Sequence, residues 1–144
     1  MAATILSIAD ALVASLNAAV FTAPYDDITA TRSYAPRFTL EELASLKVTV
    51  IPPDCIIELA ARSLAEADFT IAIGVQKRTD GTQSAHDALM LLVQEIALHV
   101  LDLDLGDAHA ATVEFDPLYD PGLLREERTF TSVMVVTFKQ GLAL

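Results

Sequence analysis

The sequence has no tryptophan, one cysteine, five glycines and only nine lysines and arginines in 144 residues. Each scarcity excludes something. A lone Cys55 rules out a disulfide framework. The glycines fall in no dinucleotide or P-loop spacing, and no Gly-x-Ser-x-Gly elbow presents a nucleophile. Nine cations against twenty carboxylates give a formal charge of −11, which disfavours any surface that tracks nucleic-acid phosphate. Long hydrophobic runs are missing as well, because Asp10 and Glu95 interrupt the two best candidates for a membrane span. The opening residues MAATILSIAD lack the positive flank of a signal peptide. The expectation is a cytosolic globular domain with no membrane association.

What the chain does have is apolar surface. Hydrophobic residues make up 53% of it, and the mean hydropathy is +0.44 despite the charge. Such a chain can bury enough surface to fold, so disorder is excluded. The apolar excess further implies that hydrophobic surface is shared between subunits, since large exposed patches mark interfaces.

Periodicity gives the elements. Ile5, Ile8, Ala9, Leu12, Val13, Leu16, Ala19 and Val20 recur at helical spacing behind a Thr4 cap, and Pro24 with Asp26-Asp27 ends that helix. Residues 28–38 favour an extended chain that Pro36 confines to a sheet edge or a bulge. Thr39 and Glu42 form a capping box over one helical turn. Lys47–Ile51 is a short strand closed by Pro52-Pro53. Residues 55–63 read as a strand against their helical propensity, with Ile57, Leu59 and Ala61 inward and Glu58 and Arg62 outward. The next strand alternates Phe69, Ile71, Ile73 and Val75 with Thr70, Ala72, Gly74 and Gln76.

A turn at Thr79–Gly81 leads to a second helix, capped by Ser84 with Asp87 and running to about Leu101. Its central stripe is Leu89, Leu92, Val93, Ile96 and Val100. Met90, Leu91, Ala97 and Leu98 widen the stripe so far that the helix should be covered on more than one side. A brief strand near 111–115, a proline-marked loop over 116–122, a helical turn at Leu123–Glu126 and a long strand over 129–139 complete the chain. With no repeat or linker, residues 1–144 form one domain of the α+β class. Its order is α-β-β-β-β-α-β-β, a mixed or antiparallel sheet with two helices on one face.

Candidate chemistry is sparse. His86 and His99 stand thirteen residues apart on one helix, about 20 Å at 1.5 Å per residue, and cannot share a metal ion. His86 reads as a capping residue, His99 as a helix-end residue and His109 as a loop residue. The acidic stretch 102–107 lacks the further ligands of a calcium loop. Cys55 beside Ile56-Ile57 reads as a buried thiol. Glu41-Glu42 and Glu126-Glu127 diverge and form no catalytic dyad. The residues thus indicate no catalytic site, no metal and no cofactor. Two irregular segments stand out instead: Arg32, Tyr34, Pro36 and Phe38 on one, and Pro117, Tyr119, Pro121 and Arg125 on the other. Tyr and Arg on stiffened segments are typical interface anchors.

Taken in order, Arg32-x-Tyr34-x-Pro36-x-Phe38-x-Leu40-Glu41, Val48-Thr-Val50-x-Pro52 and Ile71-x-Ile73-x-Val75-Gln76-Lys77-Arg78 form a recognisable series. Asp87-x-Leu89-Met90-x-Leu92-Val93-Gln94-Glu95-Ile96-Ala97 and Pro117-x-Tyr119-x-Pro121…Arg125…Phe130-Thr-Ser132-Val133 continue it. Over residues 7–139 this resembles the tail-terminator and neck proteins of long-tailed bacteriophages. It departs from their pattern at Gln94, where a second acidic residue is expected, and in its alanine-rich segment 55–67.

The resemblance implies a structural virion protein rather than an enzyme. Its α+β subunits would assemble into rings, typically homohexameric, that cap the tail tube and join it to the head connector. The implied partners are further copies of the chain, the tail tube protein and the head-side neck proteins, with DNA passing through without specific binding. A small intracellular enzyme or ligand-binding domain with a concealed site is the alternative expectation.

Overall fold

A computed structural model describes residues 4–105 and 108–144. Three helices, α1 (Ile5–Ala18), α2 (Gln83–Leu101) and α3 (Pro121–Glu127), accompany one mixed sheet. Its strands are β1 (Ala30–Arg32), β2 (Lys47–Ala61), β3 (Leu64–Arg78), β4 (Asp104–Leu105), β5 (Ala108–Phe115) and β6 (Thr129–Ala143). They lie in the order β1-β2-β3-β6-β5-β4, with only the β1–β2 pair parallel. The α+β class and the helices on one sheet face are as the sequence implies.

The alternation along β3 explains the layering. Phe69, Ile71, Ile73 and Val75 are buried against the helices together with Phe130, Met134, Val136 and Phe138 of β6. Ile8, Ala9, Leu12 and Leu16 of α1 and Leu89, Leu92, Val93, Ile96 and Val100 of α2 complete that core. The other face carries Thr70, Ala72, Gly74, Val133, Val135 and Thr137, all half-buried. Small and β-branched residues suit a sheet face that stays open.

Local signals hold at several ends and shift at others. Thr4 caps α1, its hydroxyl accepting from the Ser7 amide at 3.2 Å while Ser7 Oγ accepts from the Thr4 amide. The helix ends at Ala18, however, ahead of Pro24, and Val20 lies beyond it and exposed. Thr39 and Glu42 do exchange backbone-to-side-chain hydrogen bonds over a 3-10 turn at Glu42–Ala44. The cap of α2 is Thr82 rather than Ser84. Its Oγ1 accepts from the Ala85 amide, and Asp80 Oδ1 orients it by accepting from both its amide and its hydroxyl. Gly81, at φ +83°, supplies the left-handed step of that turn.

The extended segment 28–38 contracts to three paired residues, and Pro36 lies outside the strand. β1 nevertheless sits at the sheet edge, where Pro36 would place it. Asn17 of α1 closes its outer side: Oδ1 accepts from the Ala30 amide at 2.6 Å, and Nδ2 donates to the Ala30 carbonyl at 3.2 Å.

The largest revision concerns residues 47–63. The two expected strands are one, because Pro52-Pro53 does not terminate β2 but forms a bulge between the Ile51–Ala72 and Asp54–Thr70 pairs. A strand edge tolerates proline because no ladder amide is needed there. A two-residue turn, Arg62-Ser63, with Ser63 at φ 62°, then returns the chain into β3. The last strand is also longer than expected, so β3 and β6 pair over their full lengths from Leu64–Ala143 to Arg78–Thr129.

Candidate functional site

Cross-strand partners in a sheet point to the same face. Cys55, Ile57 and Leu59 of β2 oppose Phe69, Ala67 and Ala65 of β3, so they share the helix-side face. Their burial does not match. Ala65 and Ala67 are fully buried, whereas Ile57 is 60% and Leu59 73% exposed. The helical layer therefore covers Val48 and Val50 of β2 but stops short of its distal half, which is an arm without helical cover. The alternation expected for 55–61 holds as far as Leu59, after which a register shift pairs Ala61 with Leu64 on the other face; Cys55 packs against the core, while Ile57 and Leu59 are left uncovered by the described residues.

A second uncovered surface lies across the sheet. α2 buries its central stripe but leaves Leu91, Leu98 and Leu101 exposed, so within one chain it is covered on one side only. Between α2 and the end of β5 runs a mostly apolar groove of about 460 Å³, lined by Met90, Leu91, Val93, Gln94, Phe115 and Leu118, with Asp87 as its one charged residue.

Of the two segments singled out by sequence, one follows edge strand β1 and the other joins β5 to β6. Arg32 ends β1, and its Nε donates to Asp10 Oδ1 of α1 at 2.8 Å. Its Nη1 donates to Tyr34 Oη at 3.3 Å, with the guanidinium 5.8 Å from the Tyr34 ring centroid. That hydrogen bond and the Asp10 carboxylate raise the Arg32 pKa. Arg32 thus meets a carboxylate of its own chain, while Tyr34 remains 69% exposed. Pro36 and Phe38 are half-buried, with Lys47 Nζ 5.8 Å from the Phe38 ring centroid.

In the other segment, Asp120 caps α3 by accepting from the Gly122 and Leu123 amides. Pro121 begins that helix and Arg125 lies on it. Pro117 is exposed in the preceding loop. Tyr119, Pro121 and Arg125 come together with Asp80, His86 and Arg128 around an open cleft of about 560 Å³. Its groups are largely engaged, since His86 Nε2 bonds Thr79 Oγ1 at 2.9 Å and Asp80 holds Thr82. Asp80 titrates below its usual range because of those Thr82 hydrogen bonds.

The remaining candidates are dispersed. His99 Nε2 bonds Ser15 Oγ at 2.8 Å and its ring meets Phe21 edge-on, so it ties α2 to α1. His109 lies in β5, not in a loop. Of the acidic stretch, Asp104 and Leu105 form β4, and residues 106 and 107 lie outside the described residues. Cys55 is half-buried rather than buried, because Ile56 and Ile57 beside it are exposed. Partial burial and then the nearby Asp54 and Asp68 carboxylates raise its pKa. Its thiol is therefore a weaker nucleophile than a free cysteine near neutral pH. Among the described residues no group of three or more His, Cys, Asp or Glu side chains gathers as a metal site would require. Nor is any described helix long and apolar enough to cross a membrane.

The fold and its surfaces define a class: an α+β protein whose sheet ends in uncovered apolar surface on both sides. No family model matches the sequence, and no characterised protein resembles it closely enough to name a relative.

Proposed function

We propose that this protein is a structural subunit of a long-tailed bacteriophage virion, assembling into a ring that terminates the tail tube or joins the tail to the head connector. One observation carries the assembly half of this reading: Ile57 and Leu59 on one side, and Leu91, Leu98 and Leu101 on the other, stand exposed on a strongly acidic chain. Apolar surface of this extent marks contact with other chains. Two different surfaces on opposite sides make such contacts heterologous, and heterologous contacts that close give rings. The phage half rests on the ordered series from Arg32 to Val133 and its resemblance to tail-terminator and neck proteins.

Light scattering on the purified protein and negative-stain images, with antibody labelling of the particle, test both halves. The expected result is a closed homo-oligomer, probed most directly at the junction of head and tail. A strictly monomeric protein that co-purifies with a small molecule in the Tyr119–Arg125 cleft would overturn the reading in favour of a ligand-binding domain.

A further inference from the structure

The sheet has two backbone edges that this chain leaves open. β1 pairs with β2 only from Val48 to Val50, so beyond the Pro52-Pro53 bulge residues 54–61 present an edge that no other described strand pairs with. At the far side β4 pairs with β5 only through Ala108 and His109, leaving the outer edge of 110–115 without a strand among the described residues. Proteins ordinarily blunt such edges with charge, proline or cover. β1 obeys that rule through Asn17. The stretch Cys55–Ala61 does not, since CIIELAA carries one charge and no proline.

We propose that residues 54–61 of β2 pair with the open edge of β5 in a second copy of this chain. This names the contact for the assembly proposed above and rests on that reading for the presence of the second copy. Three features of the structure support it. The first is direction. β2, β3, β6 and β5 are successively antiparallel, so β5 runs opposite to β2. A copy set beside the first with its sheet continuing in the same sense therefore meets it as an antiparallel pair.

The second is level. β5 is level with the 134–139 stretch of β6, whereas β1 is level with residues 132–134. Residues 54–61 are level with 137–143 of β6, above most of that edge, so the incoming copy is displaced along the strands to bring them down to it; this carries its β1 further below the edge, which it does not block. The third is the side chains. Continuing the sheet turns Cys55, Ile57 and Leu59 of the incoming strand toward the helix side of β5. There the groove of Met90, Leu91, Phe115 and Leu118 opens. The strand would bring backbone hydrogen bonds, and its alternate residues would fill the groove.

The exposed parts of Ile57, Leu59, Leu91, Leu98, Leu101 and Leu118 amount to roughly 600 Å² of apolar surface. That is about half of the ~1,200 Å² at which specific interfaces begin, and just over half of an interface is apolar.

Two surface variants test the pairing: an arm variant, Ile57→Glu/Leu59→Glu, and a groove variant, Leu91→Glu/Leu118→Glu. All four side chains are exposed, so each variant should fold, as an unchanged circular-dichroism spectrum and a cooperative melting curve will verify. Each alone should lose assembly and elute as a monomer at micromolar concentration. Mixed in equal amounts, they should form a dimer of twice the subunit mass and nothing larger, because one intact arm then meets one intact groove. The proposal is overturned if folded variants assemble like the wild type, if the folded mixture stays monomeric, or if the wild type itself is monomeric. Rings that survive both variants would refute this contact and leave the ring reading standing. Edge-dependent dimers or filaments in place of rings would do the reverse.

Discussion

Replacing Ile73 by alanine should cost the subunit between about 3 and 4 kcal/mol, whereas Leu59→Ala should cost about 0.5 kcal/mol. Ile73 is wholly buried, on β3 between Val50 and Met134 and beneath the helices. The substitution removes three buried carbons, about 2.4 kcal/mol at ~0.8 kcal/mol per methylene. A residual cavity of roughly 50 Å³ adds about 1.2 kcal/mol. Leu59 has already left most of its surface in water, so truncation forfeits only the remaining quarter of its burial.

Urea unfolding at dilute concentration, with the midpoint shift read at constant m-value, measures both, and Ile73→Ala should also lower Tm by roughly 10 °C. At high concentration Leu59→Ala should become the more damaging for assembly, because stability gained from association follows mass action. If the two variants lose equal stability when dilute, or Ile73→Ala loses less than about 1 kcal/mol, the burial argument that separates core from contact surface is wrong.

Three further outcomes are expected. Tyr34→Ala and Tyr119→Ala, at 69% and 40% exposure, should melt within a few degrees of the wild type yet lower incorporation into particles; early melting with normal assembly would make these segments ordinary packed loops. Cys55, whose pKa is raised, should react with iodoacetamide more slowly at pH 8 in the folded protein than after unfolding in urea, and equal rates would contradict its environment. Duplex DNA should not be retarded at physiological salt, because nine cations against twenty carboxylates leave the chain strongly acidic; salt-sensitive micromolar binding in a mobility-shift assay would refute this.

The sequence by itself determined what depends on neighbours along the chain. Alternation over 69–75 placed β3 with the correct side inward, the spacing of Leu89, Leu92, Val93, Ile96 and Val100 gave the buried stripe of α2, and Thr4 and the Thr39–Glu42 pair marked their turns. Each of these is settled by side-chain period or by a hydrogen bond spanning three residues, and both can be read locally.

Where the chain depends on what lies beside it, only the tertiary structure decided. Pro52-Pro53 stops a strand in a sheet interior and merely bulges one at an edge, and edge position is a property of strand order. The same limit explains the contact surface. Tyr34 and Arg32 looked like anchors by residue type, but Arg32 is held by Asp10 of its own α1. The less conspicuous Ile57 and Leu59 alternate like core residues and are left bare. Period 2 says which way a side chain points; whether anything stands there is fixed by where the helical layer ends, past Val50 but short of the distal half of β2.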